Sequence, residues 1–221
     1  MDSENRNADG RGLPALLLAL FGAFWLAMAW SPRFRADWAL ENALVAVIVP
    51  LMIWGYRRLR FSDLAYGCLF VFLSLHVLGS HFTYAEVPYD AWSRQWLGFS
   101  VNELLGFERN HFDRLVHFLF GVLLAPTVVE LLAVKVMTHG VWRLLVPISV
   151  LAALSATYEL IEWFAAIVFG GDLGMAYLGT QGDEWDGHKD MALAIGGAIV
   201  SVAVQVRFRP AAAAVPVTRS G

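Results

Sequence analysis

DRLVHFLFGVLLAPTVVELLAVKVM (113–137) is the stretch that decides the fold. Its interior is almost wholly apolar, and it exceeds the about 20 residues a helix needs to cross the hydrocarbon core of a bilayer. Yet it opens on Asp113, Arg114 and His117. Ionisable groups in a membrane segment are costly unless they pair or face a polar cavity, so such a helix marks a functional site as well as a span.

Five further apolar runs join it, and the spans are expected at roughly 13–30, 38–56, 61–79, 113–137, 143–169 and 188–206. Composition agrees. The chain has 221 residues, 58% hydrophobic and 16% charged, with a mean hydropathy of +0.56. A soluble domain carries about 25% charged residues. The expected fold is therefore all-α: a polytopic bundle of about six transmembrane helices. Pro50, Pro126 and Pro147 fall inside runs and suggest kinks that neighbouring helices can accommodate. Ala27-Met28-Ala29 resembles a signal-peptidase site, but the apolar run before it is too long and Asp2, Glu4 and Asp9 dilute the leader, so the first run reads as a retained helix. The membrane domain is expected over 13–206, with disordered cytoplasmic ends at 1–12 and 207–221.

Several classes are excluded. Net charge is −3 with no long Lys/Arg cluster, which argues against a nucleic-acid partner. Cys68 is the single cysteine, so neither an intramolecular disulfide nor a thiolate metal cluster can form. There is no HExxH helix, Walker A loop, GxSxG elbow or GxGxxG turn, and no internal repeat. Ser155 and Thr157 lie near acids, but nothing in the sequence marks them as activated nucleophiles.

Orientation follows from the basic residues. Arg6, Arg11, Arg57, Arg58, Arg60, Lys135, Arg143, Arg207, Arg209 and Arg219 fall on one side, and Arg33, Arg35, Arg94, Arg109, Arg114 and Lys189 on the other. The richer side is expected to be cytoplasmic, with both termini there. Alternation of six spans then brings polar residues to one outer face: Asp113 and His117 at the start of span four, Glu159 and Glu162 near the end of span five, Asp186 and Asp190 at the start of span six, His76 and His81 at the end of span three, and Glu41 at the start of span two. Two long connections, 80–112 and 170–187, are expected to roof that face as loops.

Each group has its own chemistry. Asp113 and His117 are four apart and share a helix face; a carboxylate there can fix the imidazole tautomer and make His117 a base or a metal ligand. Glu159 and Glu162 are three apart, also on one face, and two carboxylates at that depth need a cation, a metal or a shared proton. GTQGDEWDGHKDM (179–191) sets oxygen ligands among glycines, a pattern that suits hard cations, with Asp190 the strongest candidate and Asp186 beside it as a ligand or a helix cap. The candidate catalytic residues are thus His117, Asp113, Glu159, Glu162 and Asp190, and the candidate metal ligands are Glu159, Glu162, Asp186 and Asp190. His81 and Tyr84 of the first long connection, with Gln181 and Trp185 of the second, are the candidate substrate contacts. Glu130, at the other end of its span, reads as structural.

GSHFTYAEVP (79–88), NHFDRLVHF (110–118), SATYELIEW (155–163) and GTQGDEWDGHKDM, in this order and spacing, resemble the YjdF-type bacterial inner-membrane family over roughly 13–206. More distantly the layout resembles VanZ-like membrane proteins, whose Asp-x-x-x-His, Glu-x-x-Gln and Asp before a Gly-rich helix match Asp113/His117, Glu159/Glu162 and Asp190 with Gly196 and Gly197. Glu162 stands where that pattern has Gln. VanZ-like proteins are associated with reduced glycopeptide sensitivity. The resemblance implies a multi-pass protein of the bacterial inner membrane, in contact with membrane lipid.

Three function classes remain open at this point. One is a divalent-cation-dependent enzyme acting on a lipid-linked or envelope substrate. The second is a proton-coupled transporter, which needs a site reachable from both sides. The third is a non-catalytic assembly or stress protein. The cation, the substrate and the oligomeric state stay open.

Overall fold

The computed structural model describes residues 5–136 and 139–208. In chain order the helices are α1 (Asn5–Ala29), α2 (Arg35–Gly55), α3 (Asp63–Phe82), α4 (Tyr89–Leu97), α5 (Val101–Leu105), α6 (Phe112–Lys135), α7 (Trp142–Phe169), α8 (Gly171–Leu178) and α9 (Asp186–Phe208). Six of them, α1, α2, α3, α6, α7 and α9, are long and apolar enough to span a membrane, and no strand occurs among the described residues. Pro50, Pro126 and Pro147 sit inside helices that continue through them. Of the two ends expected to be disordered, 1–4 and 209–221 lie outside the described residues, whereas α1 already begins at Asn5 and α9 runs to Phe208.

The bundle is inverted relative to a soluble protein. Trp163, Phe164, Ile167 and Val168 of α7 are exposed, as are Leu16, Leu18, Leu20 and Leu26 of α1. Asp37, Glu41, His76, His117 and Asp190 are buried. Lipid is as apolar as a leucine side chain, so burying leucines drives little association; close packing and interhelical hydrogen bonds hold such helices together instead. The α6–α9 crossing shows both. Gly121 lies against Ala194 O and Ala198 N, and Gly197 against Phe118 O and Val122 N, so the two backbones touch without intervening side chains. Ser201 Oγ donates to Val122 O at 2.8 Å across the same seam. α7 packs on α9 and α6, and α3 joins α6 to α1 and α2.

The two long connections differ from the expected loops in being largely helical. α4 and α5 lie between α3 and α6, and α8 lies between α7 and α9. Local chemistry explains this. Ser100 caps α5 by accepting from Glu103 N at 3.0 Å. Gly98 and Gly106 close α4 and α5 with positive φ of 78° and 68°, where a side chain would be strained. Asp90 braces the pair by accepting from Asn102 N at 2.9 Å and Ser100 Oγ at 2.7 Å. Those two donors, with the Arg94 guanidinium, hold its carboxyl down at about 2. At the opposite end of the bundle Glu130 of α6 accepts from Ser62 N at 2.7 Å and Ser62 Oγ at 2.5 Å, pinning α6 to the start of α3, a structural role. An apolar cavity of about 320 Å³ lies between α1, α2 and α3 and contains neither a carboxylate nor an imidazole.

Candidate functional site

Polar side chains converge at the end of the bundle that carries α4, α5 and α8. The first turns of α6 supply Asp113 and His117, the first turns of α9 supply Asp186 and Asp190, and α7 supplies Glu159 and Glu162. His117 is held between two carboxyl groups: its Nε2 lies 3.5 Å from Asp113 Oδ1 and its Nδ1 lies 3.5 Å from Glu159 Oε1. Asp113, His117 and Asp190 each present one ligand atom, and these three atoms lie within 4.8 Å of one another. The helix seam makes this meeting possible, because backbone contact at Gly121 and Gly197 brings α6 and α9 as close as helices can come.

Two oxygens of this cluster are buried with no hydrogen-bond partner, Asp190 Oδ1 and Glu159 Oε1. A buried polar atom left unpaired costs roughly 1–3 kcal/mol, more if charged, and native structures keep few of them. Gly187 contributes to this arrangement as well. Glu159 Oε2 occupies the space a Cβ at residue 187 would take, so the Glu159 carboxyl rests on the first turn of α9, where the helix dipole favours an anion.

Glu162 lies among the carboxyl groups of Asp113, Glu159, Glu41 and Asp190. With Glu41, Thr83, Tyr84, Asp113, Leu178 and Gly179 it lines a cavity of about 10 Å³, room for about one water or ion. Glu41 Oε2 accepts from Tyr158 Oη at 3.2 Å, and its backbone carbonyl lies 3.1 Å from His76 Nε2. The other nitrogen of His76 meets Tyr84 Oη at 2.5 Å. Gly79 is bare so that the Tyr84 ring can lie on it. Glu41 therefore lines the small cavity beside Asp113, a contact the sequence did not single out; the signal available was its four-residue spacing from Asp37 inside an apolar helix.

Above the acids lies a basic roof. Arg109 donates to Thr180 O and Asp186 Oδ1, and Arg114 donates to Asp183 Oδ2 at 2.5 Å and Asp186 Oδ1 at 3.2 Å. Lys189 Nζ donates to Asp183 Oδ2 at 2.6 Å. That ammonium, with the Trp185 N–H and the Arg114 guanidinium, holds the Asp183 carboxyl down at about 2. The neighbouring His111 is kept neutral more readily than a free imidazole, by partial burial and by the Arg114 and Arg109 charges.

The sequence candidates separate accordingly. Asp113, a candidate catalytic residue expected to orient His117, lies in one group with His117 and Asp190 whose potential ligand atoms are within 4.8 Å of one another. Glu159 touches His117, and Glu162, within hydrogen-bonding reach of Glu159, lines the small cavity. Asp186, expected among the metal ligands, accepts from two guanidinium groups instead. Of the expected substrate contacts, only Tyr84 lines the pocket. His81 Nδ1 lies 2.8 Å from Met28 O and tethers α3 to the end of α1. Gln181 exchanges hydrogen bonds with the backbone of Asn110, at 3.2 Å and 3.0 Å, and clasps the two roof segments together. Trp185 is exposed and meets the His188 ring edge-on. Thr157 Oγ1 donates back to Ala153 O, and Ser155 Oγ is buried with no partner.

Comparison with known proteins bears on this description. The family model described as "Predicted membrane protein (DUF2238)" matches residues 13–211. The chain is 36% identical over 179 residues to a protein of Escherichia coli (strain K12) described as "Inner membrane protein YjdF", covering 80% of this chain and 81% of that one. No solved structure matches. These matches bear on the YjdF-type resemblance and not on the VanZ-like one. The match spans all six membrane helices and every residue of the polar cluster, and the chain belongs to the DUF2238 family of membrane proteins.

Proposed function

We propose that this protein, lying in the bacterial inner membrane as its relative's description implies, binds a divalent cation at Asp113, His117 and Asp190, with Glu159 as a further ligand or base, and uses it on a lipid-linked or envelope substrate. The observation that carries this reading is the triad of ligand atoms within 4.8 Å, next to two buried oxygens that make no hydrogen bond. One imidazole among carboxylates suits Mn²⁺ or Zn²⁺ better than an all-oxygen set would. A cation there would polarise a substrate oxygen or activate a water, and Glu159, where it is not itself a ligand, would take the proton released. The carrier alternative needs a path onward through the bundle. Beneath the acids, α6, α7 and α9 are closed by Ala125, Val128, Leu132, Leu151 and Val202.

The test is metal analysis of purified full-length protein equilibrated with Mn²⁺ or Zn²⁺. Wild type is expected to hold about one equivalent. Glu159→Gln is expected to weaken binding roughly tenfold or more, the scale of losing even an outer partner at a metal site. Gly187→Ala, which displaces the Glu159 carboxyl without replacing any of the four side chains, is expected to weaken it in the same direction. Wild-type protein that binds neither ion at millimolar concentration sinks the reading.

We further propose, from the distribution of basic residues, that both termini are cytoplasmic and the site faces outward. A reporter fused after Gly221 is expected to be active in a form that works only in the cytoplasm and silent in a periplasmic form. The reverse pattern inverts the orientation and leaves the convergence of the acids untouched.

A further inference from the structure

The roof of the site holds more cationic donors than its own carboxylates use. The Arg109 and Arg114 side chains are each 17% exposed, and the Nε–H of both is buried without an acceptor. Three cations, Arg109, Arg114 and Lys189, pair directly with two carboxylates, Asp183 and Asp186, while Asp113 lies within electrostatic reach of both arginines without an ion pair to either. Two guanidinium forks with unused donors suit a tetrahedral oxyanion, because a phosphate presents several oxygens to planar, bidentate donors.

We propose that Arg109 and Arg114 form a phosphate-recognition site, and that the substrate of the acid/histidine centre is an amphiphile with a phosphate head group. This deepens the cation reading and rests on it for the chemistry, though not for the binding. Geometry links the two halves. Arg114 directly follows Asp113, and Asp186 precedes Asp190 by four residues, about 6 Å along α9, so a phosphate held by the arginines lies within reach of the cation ligands beneath. The acceptors that now satisfy the arginines, Thr180 O, Asp183 and Asp186, all come from one short segment. Thr180 and Asp183 lie in a turn shaped by the left-handed residues Gly179, Gln181 and Gly182, and an incoming phosphate would compete with them and with Asp186 for the guanidinium donors. The amphiphile follows from the rim: Trp96, Leu97, Leu104 and Leu105 of α4 and α5, with Trp185, are exposed at the same end of the bundle, as suits a site at the lipid–water interface.

The test uses full-length protein in detergent, titrated with dioctanoyl phosphatidic acid, dioctanoylglycerol and inorganic phosphate, each with and without Mn²⁺. Wild type is expected to bind the phosphatidic acid, at least roughly tenfold tighter than either other probe. Arg114→Gln, and the charge-keeping Arg114→Lys, are expected to lose roughly tenfold, the scale of one charge-assisted hydrogen bond, while cation content stays at the wild-type level. Asp183→Asn is expected to move the other way and tighten binding, because it releases a guanidinium. If these variants lower thermal stability alike and leave phosphatidic acid affinity unchanged, the arginines are staples and the proposal falls. Equal affinity for inorganic phosphate overturns the amphiphile. A wild type that binds Mn²⁺ but no phosphate probe overturns this inference alone, and one that binds phosphatidic acid but no cation overturns only the cation reading.

Discussion

Gly197→Val is expected to prevent the protein from folding, and Gly197→Ala to destabilise it severely. A Cβ at residue 197 falls into Phe118 O and Val122 N, and one at residue 121 falls into Ala194 O and Ala198 N. These are backbone atoms of helices, so no rotamer change can relieve the overlap, and α6 must separate from α9. Overpacking in a close-packed interior costs about 1–3 kcal/mol and more where the backbone cannot move. Here it also removes the Ser201–Val122 hydrogen bond and draws Asp113 and His117 away from Asp190. Thermal unfolding in detergent checks this, with Gly196→Ala as the control. A Cβ at Gly196 meets nothing within 4 Å, so that change should be neutral or stabilising by up to about 1 kcal/mol through helix propensity. If Gly197→Ala melts like wild type, the seam is looser than described and the convergence of the triad loses its structural cause.

The fold was legible because lipid imposes a one-dimensional code. A spanning helix must be long and apolar, and six runs of that kind are six helices with ends close to those expected. Pairs on one helix were equally legible. Asp113 with His117 and Glu159 with Glu162 follow from helical spacing, and alternation of spans places them at one end. What spacing cannot supply is the rotation of each helix about its axis, and an almost uniformly apolar helix carries little periodicity to fix it. Glu41 and Glu162 turn toward the small cavity for reasons that lie on neighbouring helices. The oxygen-rich, Gly-punctuated pattern marks Asp186 as a ligand candidate, and its guanidinium partners, Arg109 and Arg114, are invisible to that pattern because they lie more than seventy residues away. The short helices of the first long connection had a signal that went unused: Ser100 three residues before Glu103, between two glycines, is a capped helical turn. His81 and Gln181 lie in the connections that roof the polar face, but both are spent on backbone contacts that tie segments together.

Asp190→Asn is expected to stabilise the protein while removing its ligand binding, and this pairing separates a site from a structural lock. Asp190 is 2% exposed, and its Oδ1 has no partner. Asp113, Glu159 and Glu162 crowd the same space, so the carboxyl meets more of its own charge than of its opposite. An asparagine keeps the shape, adds two donors for those oxygens and lowers the local negative charge. The relief amounts to roughly 1–3 kcal/mol, the usual cost of a buried group left unpaired. Functional sites commonly hold charge together against stability in this way. The melting temperature in chelator should therefore rise, while Mn²⁺ or Zn²⁺, which stabilises wild type in proportion to its binding, should give the variant little further increase. A structural carboxylate behaves in the opposite sense: its removal orphans a donor and lowers the melting temperature with or without metal. A fall in stability in chelator, together with an unchanged response to cations, assigns Asp190 to the scaffold and leaves the triad without its third ligand.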